Sequence, residues 1–83
     1  MAVVLLPAVL AAEAGGQKRF ELDAATVGEA LRALPIADLL FDGSGELRTL
    51  VNVYVDGRDA RTRLAEPLDD DAEIRVVAAV AGG

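Results

Sequence analysis

Cysteine and histidine are both absent from the 83 residues. Without cysteine there is no disulfide framework, no thiol nucleophile and no thiolate metal site. Without histidine the usual general base and a usual zinc ligand are missing as well. Tryptophan is absent too, and the aromatic residues are only Phe20, Phe41 and Tyr54. The core must therefore be aliphatic. Positive charge is scarce: eight Lys and Arg stand against fourteen Asp and Glu, a net charge of −6. That balance disfavours nucleic acid, whose phosphates attract basic surfaces, and suits a partner with a basic docking face. No apolar run reaches the roughly 20 residues of a membrane span. What is left for catalysis is a scatter of carboxylates, so the chain is not expected to be an enzyme.

The first residues imitate a secretory leader. An apolar run from Val3 to Ala12 is followed by Ala12-Glu13-Ala14, which resembles a cleavage site. A leader opens on a positively charged region, however, and no Lys or Arg precedes Lys18. Cleavage would also remove the first strand of a small domain. The segment reads as part of the fold, and the expected location is the cytoplasm.

The chain is too short for two cores, so residues 1–83 are expected to form one domain. An apolar fraction of 53% is enough to fill it. The last stretch is the most distinctive: Val76-Val77-Ala78-Ala79-Val80-Ala81 runs without a turn into Gly82-Gly83. Glycine, lacking a Cβ, can thread a narrow channel in any backbone conformation. A strand finishing as a Gly-Gly carboxylate therefore suits a tail, residues 79–83, that is flexible and enters another protein's active site. Taken alone, such an end equally fits a frayed terminus.

The body of the chain reads as strands with one main helix. Ala2 to Leu6 is an apolar run expected to be a strand buried on both faces, ended by Pro7. Residues 8–16 form a connection with a helical turn over Val9 to Ala14, closed by Gly15-Gly16. Residues 18–23 alternate polar and apolar, which puts Phe20 and Leu22 on one face of a strand paired with the first. Thr26-Val27-Gly28-Glu29 is a capping box. Val27, Ala30, Leu31 and Leu34 then mark one helix face, and Pro35 stops the helix near Leu34. Ile36 to Phe41 is a second, shorter helical turn.

Leu47 to Val55 is expected to be a strand with Val51, Val53 and Val55 on one face and Leu50, Asn52 and Tyr54 on the other. Asp56-Gly57 predicts a two-residue hairpin turn and a short edge strand over residues 58–60. Arg61-Thr62-Arg63 reads as a solvated loop. Asp69-Asp70-Asp71 reads as a turn rather than a metal site, since adjacent carboxylates cannot all face one ion from a regular strand. Glu73 to Ala79 is the final strand. The resulting fold is α+β: a small mixed sheet with a helix across one face, a β-grasp, whose most apolar strands, the first and the last, lie side by side in the middle.

At this point Val51-Asn52-Val53-Tyr54-Val55-Asp56-Gly57, the Leu68-to-Ile74 turn and the Ala79-to-Gly83 end resemble the MoaD/ThiS family of ubiquitin-like sulfur carriers. The likeness is greatest to its actinobacterial, cysteine-synthesis type. Gly15-Gly16-Gln17-Lys18 and Thr26-Val27-Gly28 fit too, so the likeness covers most of the chain. The resemblance implies that an E1-like adenylyltransferase of the MoeB/ThiF type activates the Gly83 carboxylate with ATP. A sulfurtransferase persulfide or sulfide then displaces AMP to leave a thiocarboxylate, which a downstream synthase accepts. The cofactor expectation is accordingly that none is bound by the carrier, ATP and the sulfur donor being used by its partner enzyme. Gly82 and Ala81 would give clearance in the partner's channel, and Val80 and Ala79 would set the tail's depth. A patch involving Leu50 and Tyr54 would dock the enzymes, although these residues fit ordinary cross-strand packing equally. The acceptor could be a cysteine, molybdopterin or thiamin precursor or a thiolated secondary metabolite. The alternatives are a ubiquitin-like modifier joined to lysines through Gly83, and a plain interaction module with an accidental Gly-Gly end.

Overall fold

In the computed structural model, which describes residues 1–78, the elements follow in the order β1 (Ala2–Leu5), α1 (Ala8–Glu13), β2 (Arg19–Leu22), α2 (Val27–Arg32), α3 (Ala37–Leu40), β3 (Val51–Val55), β4 (Arg58–Asp59) and β5 (Glu73–Ala78). The sheet is ordered β2-β1-β5-β3-β4. β1 and β5 pair in parallel with Val4 opposite Ile74, and every other pairing is antiparallel. The two apolar strands do lie together in the middle.

Period-two alternation explains how the sheet finds its core. Val4, Val53, Ile74 and Val76 are essentially sealed from water and face Leu31, Ala30 and Leu40 from the helices. Phe20 and Leu22 pack against that cluster on one face of β2, as their spacing predicts. β1 is not buried on both sides: its pattern alternates between buried and half-buried. The helices cover one face only, so Val3 and Leu5 look outward.

The turns follow from local chemistry. Asp56 (φ 49°) and Gly57 (φ 85°) both take left-handed backbone, the geometry of a tight hairpin turn between β3 and β4. Asp56 also ties the turn to the next strand, its Oδ1 accepting from Glu73 N–H at 3.0 Å. Thr26 Oγ1 accepts from the Glu29 amide at 3.2 Å and caps α2. The capping box is completed differently from expectation, because the Glu29 carboxylate meets the Thr26 hydroxyl at 3.4 Å rather than its amide. α1 has the six residues expected over Val9 to Ala14, shifted one position earlier, and buries Leu10 and Ala11. The Asp69–Asp71 run is a turn, in which Ala72 N–H donates to the Asp69 carbonyl at 3.1 Å.

Two further expectations need correction. The strand predicted from Leu47 begins only at Val51. Leu47 makes an isolated bridge with Phe41, and Val51 N–H donates to the Arg48 carbonyl at 3.0 Å, closing a turn over Arg48–Leu50. Arg61 is not part of a solvated loop. It is half-buried, and its guanidinium donates to the Val51 and Leu47 carbonyls, whereas Thr62 and Arg63 are exposed.

Candidate functional site

The sequence-based site has two parts, a tail and a docking patch. Ala79, Val80, Ala81, Gly82 and Gly83 lie outside the described residues. Their point of departure does not. β5 is the central strand, gripped by β1 on one side and β3 on the other, and its last residue Ala78 stands opposite Val51. The pairing with β1 ends at Arg75, so the departure point is held on the β3 side, beside the first residue of β3.

The outward face of the sheet supplies the second part. The register sets Arg19, Leu5, Arg75, Tyr54 and Asp59 side by side across β2, β1, β5, β3 and β4. One step closer to the departure point, Val77 faces Asn52. Leu50 and Val77 are exposed for large apolar side chains, at 51% and 39%. Tyr54 is half-buried on this face. The structure therefore brings Tyr54 onto the open face as anticipated, but places Leu50 in the turn just before β3, where cross-strand packing does not hold it.

Sequence reasoning overlooked Leu5, Arg75 and Val77. The first was read as doubly buried. Val77 had a readable signal, because Glu73 and Arg75 share its parity along β5 and mark that side as the solvent side. The cations there are paired on the surface: Arg19 with Glu21 at 3.1 Å and Arg75 with Glu73 at 3.4 Å. Such exposed pairs exchange readily with other partners, since each contributes little to stability. The face offers aliphatic surface framed by guanidinium groups that can reach acceptors on a partner.

The opposite pole has another character. A groove of about 360 Å³ lies there, between the β3–β4 turn and the 66–72 segment. Its charged lining mixes Arg58 and Arg63 with Asp56, Asp59, Glu66 and Asp69. Arg63 stands 4.0 Å from Glu66. No group of metal-ligating side chains occurs among the described residues.

A helix packed across one face of a mixed sheet, with a parallel central pair formed by the first and last strands, defines a ubiquitin-like β-grasp protein. The chain belongs to the ThiS family, whose sequence model matches residues 4–83 and so includes the Gly-Gly end. The sulfur carrier protein CysO of Mycobacterium tuberculosis (strain ATCC 25618 / H37Rv) is 34% identical over 89 residues, 96% of each chain. The crystal structure of Mycobacterium tuberculosis CysO superposes with a TM-score of 0.84 at 30% identity, covering 96% of this chain and 100% of the other. An Amycolatopsis orientalis BexX/CysO complex contains a chain similar at a TM-score of 0.81 and 28% identity, with 100% of both chains covered. The small archaeal modifier protein 1 of H. volcanii is similar at 0.75 and 32%, over 95% and 97% of the two chains.

Proposed function

We infer that this chain is a ThiS-type sulfur carrier, a protein co-substrate rather than a catalyst. The observation that carries the reading is that the family match runs through Gly83 while the fold plants the strand leading there in the centre of the sheet. Gly83 is the reacting residue in this scheme. An E1-like adenylyltransferase joins its carboxylate to AMP, releasing pyrophosphate from ATP. Sulfide then attacks the acyl carbon; the C–S bond forms, the bond to AMP breaks, and a thiocarboxylate remains. A sulfurtransferase persulfide would first give an acyl disulfide that a second thiol cleaves, releasing the thiocarboxylate and a disulfide. The sulfur nucleophile is thus created without any side chain of the carrier, which accounts for a chain with neither cysteine nor histidine. ATP and the sulfur source belong to the partner enzyme, and no bound cofactor is required.

Gly82 and Ala81 provide clearance in the partner's channel, and Val80 and Ala79 set the depth of entry. Leu50 and Tyr54, joined by Leu5 and Val77, supply the apolar docking surface, and Arg75 and Arg19 supply charge. That the curated relative is a sulfur carrier, and that a CysO chain occurs in a two-protein complex, supports a carrier handed between an activating enzyme and a sulfur-accepting synthase. The reaction is placed in the cytoplasm, where ATP is available; no helix among the described residues is long and apolar enough to cross a membrane.

Intact mass tests this directly. The protein is incubated with ATP, sulfide and the E1-like enzyme of its own organism, and a gain equal to one oxygen exchanged for one sulfur is expected. Deleting Gly82 and Gly83 should abolish that gain and leave the melting temperature unchanged. An unchanged wild-type mass, with the enzyme active on another carrier, would refute the reading. Conjugation to lysines through Gly83 would instead appear as a protein adduct that survives reducing denaturation. The similarity to an archaeal modifier protein makes that the control to run beside it.

A further inference from the structure

We propose that Arg61 is a positioning residue for sulfur loading, fixing the strand start and turn that flank the tail's point of departure. The proposal rests on the sulfur-carrier reading above. Its basis is a missing rung in the sheet. Tyr54 and Val55 are opposed by Asp59 and Arg58 of β4, and the Ala60 amide makes a last bond to the Val53 carbonyl at 2.8 Å. Beyond that, β4 has ended. Carbonyls alternate in direction along a strand, so the Val51 carbonyl points to the same side as that of Val53, where no strand remains to donate to it.

Arg61 fills the gap. Its Nη1 donates to the Val51 carbonyl and its Nη2 to the Leu47 carbonyl at 3.3 Å, both bonds being partly buried. Among the described residues it forms no salt bridge, although the chain is rich in acids. The planar fork of an arginine can span two carbonyls in this way, which a lysine ammonium cannot reproduce in geometry. The two carbonyls bracket the Arg48–Leu50 turn, itself held by the Arg48 amide donating to the Leu40 carbonyl at 2.8 Å. Val51 in turn stands opposite Ala78. One side chain therefore holds both the residue that presents Leu50 and the residue across from the last position of β5.

Arg61 itself lies on the β4 side of β3, whereas Ala78 lies on the β5 side. Loosening it should spread the direction in which the tail leaves and the orientation of Leu50. That cost falls on assembling the productive complex, because binding then has to order what the free protein no longer holds. Chemistry at the terminal carboxylate, once seated, is unaffected. The signature is a raised KM with kcat preserved.

The test uses the full chain with Arg61→Met and Arg61→Lys, assayed well below their melting temperatures with the activating enzyme, ATP and sulfide. For Arg61→Met, KM for the carrier should rise about tenfold with kcat within about twofold. Arg61→Lys should fall between wild type and Arg61→Met. Amide exchange should quicken at Val51 and Asn52 and stay unchanged at Val53 and Ile74. A wild-type KM in a folded Arg61→Met protein, or uniformly faster exchange, would reduce Arg61 to a general stabiliser and overturn the proposal. Should Arg61→Met fail to fold, Arg61→Lys decides by the same criterion; failure of both to fold would likewise overturn it. If the wild-type chain is not loaded by an enzyme that loads another carrier, the sulfur-carrier reading fails, an outcome distinct from a loaded wild type with an indifferent Arg61.

Discussion

Asp42 shows how much one side chain can organise without being buried. Its Oδ1 accepts from the Ser44 hydroxyl at 2.6 Å, the Ser44 amide at 2.8 Å and the Glu46 amide at 3.2 Å. The Ser44 hydroxyl bond, then the two amides, hold its carboxyl below the ordinary carboxylate range against desolvation, with the Arg48 charge adding least. A depressed folded-state pKa binds fewer protons than the unfolded chain. Its contribution is therefore complete above the unfolded value, near pH 4, and is lost as pH falls through the folded value. Melting followed across the acid limb should show wild type losing stability faster than Asp42→Asn as pH falls from about 5 to about 2. Parallel curves would show that the loop ignores the charge. At this same scale Arg61 escaped the sequence. Its neighbours Thr62 and Arg63 do face water, and nothing in the local pattern reveals which guanidinium turns inward to two carbonyls that lie 10 and 14 residues away.

The elements were legible where a short-range rule governs them. Asp56-Gly57 demands left-handed backbone and has it. Thr26 caps α2, and the alternation of β3 puts Val51 and Val53 on its buried side as expected. Misreadings came where tertiary partners decide. Leu47 to Leu50 has strand-like composition, but the Arg48 amide is claimed by the Leu40 carbonyl and the strand cannot start until Val51. β1 looked doubly buried because parallel central strands usually have both faces covered, whereas here the helices take one side and leave Leu5 and Val3 half-exposed. The central position of β5 has an energetic counterpart. Ile74 is fully buried opposite Val4 and Val55, so Ile74→Ala should cost about 2–5 kcal/mol of unfolding free energy, read by urea titration. A loss near zero would mean that the strand is not where the core is anchored. Leu50→Glu, by contrast, sits in an exposed turn. It should leave stability within about 0.5 kcal/mol and lower the rate of sulfur loading.

Across the whole molecule, the two signs of charge are unevenly placed. Asp23, Asp56, Asp69 to Asp71 and Glu73 gather at the pole where β5 begins, while Arg19 and Arg75 stand on the open face at mid-length of β5. The acids of that pole are interleaved with Arg58 and Arg63. Replacing Asp69, Asp70 and Asp71 together by Asn should change the loading rate by less than about twofold, whereas Arg19→Glu with Arg75→Glu should lower it by about tenfold or more. Equal effects from both sets would mean that net charge, rather than its placement, governs the encounter.

The pairing of β1 with β5 has a consequence for how the chain is born. The middle of the sheet needs a strand made long after its partner, since Val4 must wait for Ile74. Contacts this distant in sequence form slowly, after the loop between them has closed. An interrupted translation product ending before residue 73 would lack the strand that joins β1 to β3, and would stay open to proteases as unfolded chains do. Folding thus doubles as an inspection for completeness. A nascent chain can become protease-resistant only after the ribosome has passed β5, and so products interrupted before that strand would be cleared rather than accumulate.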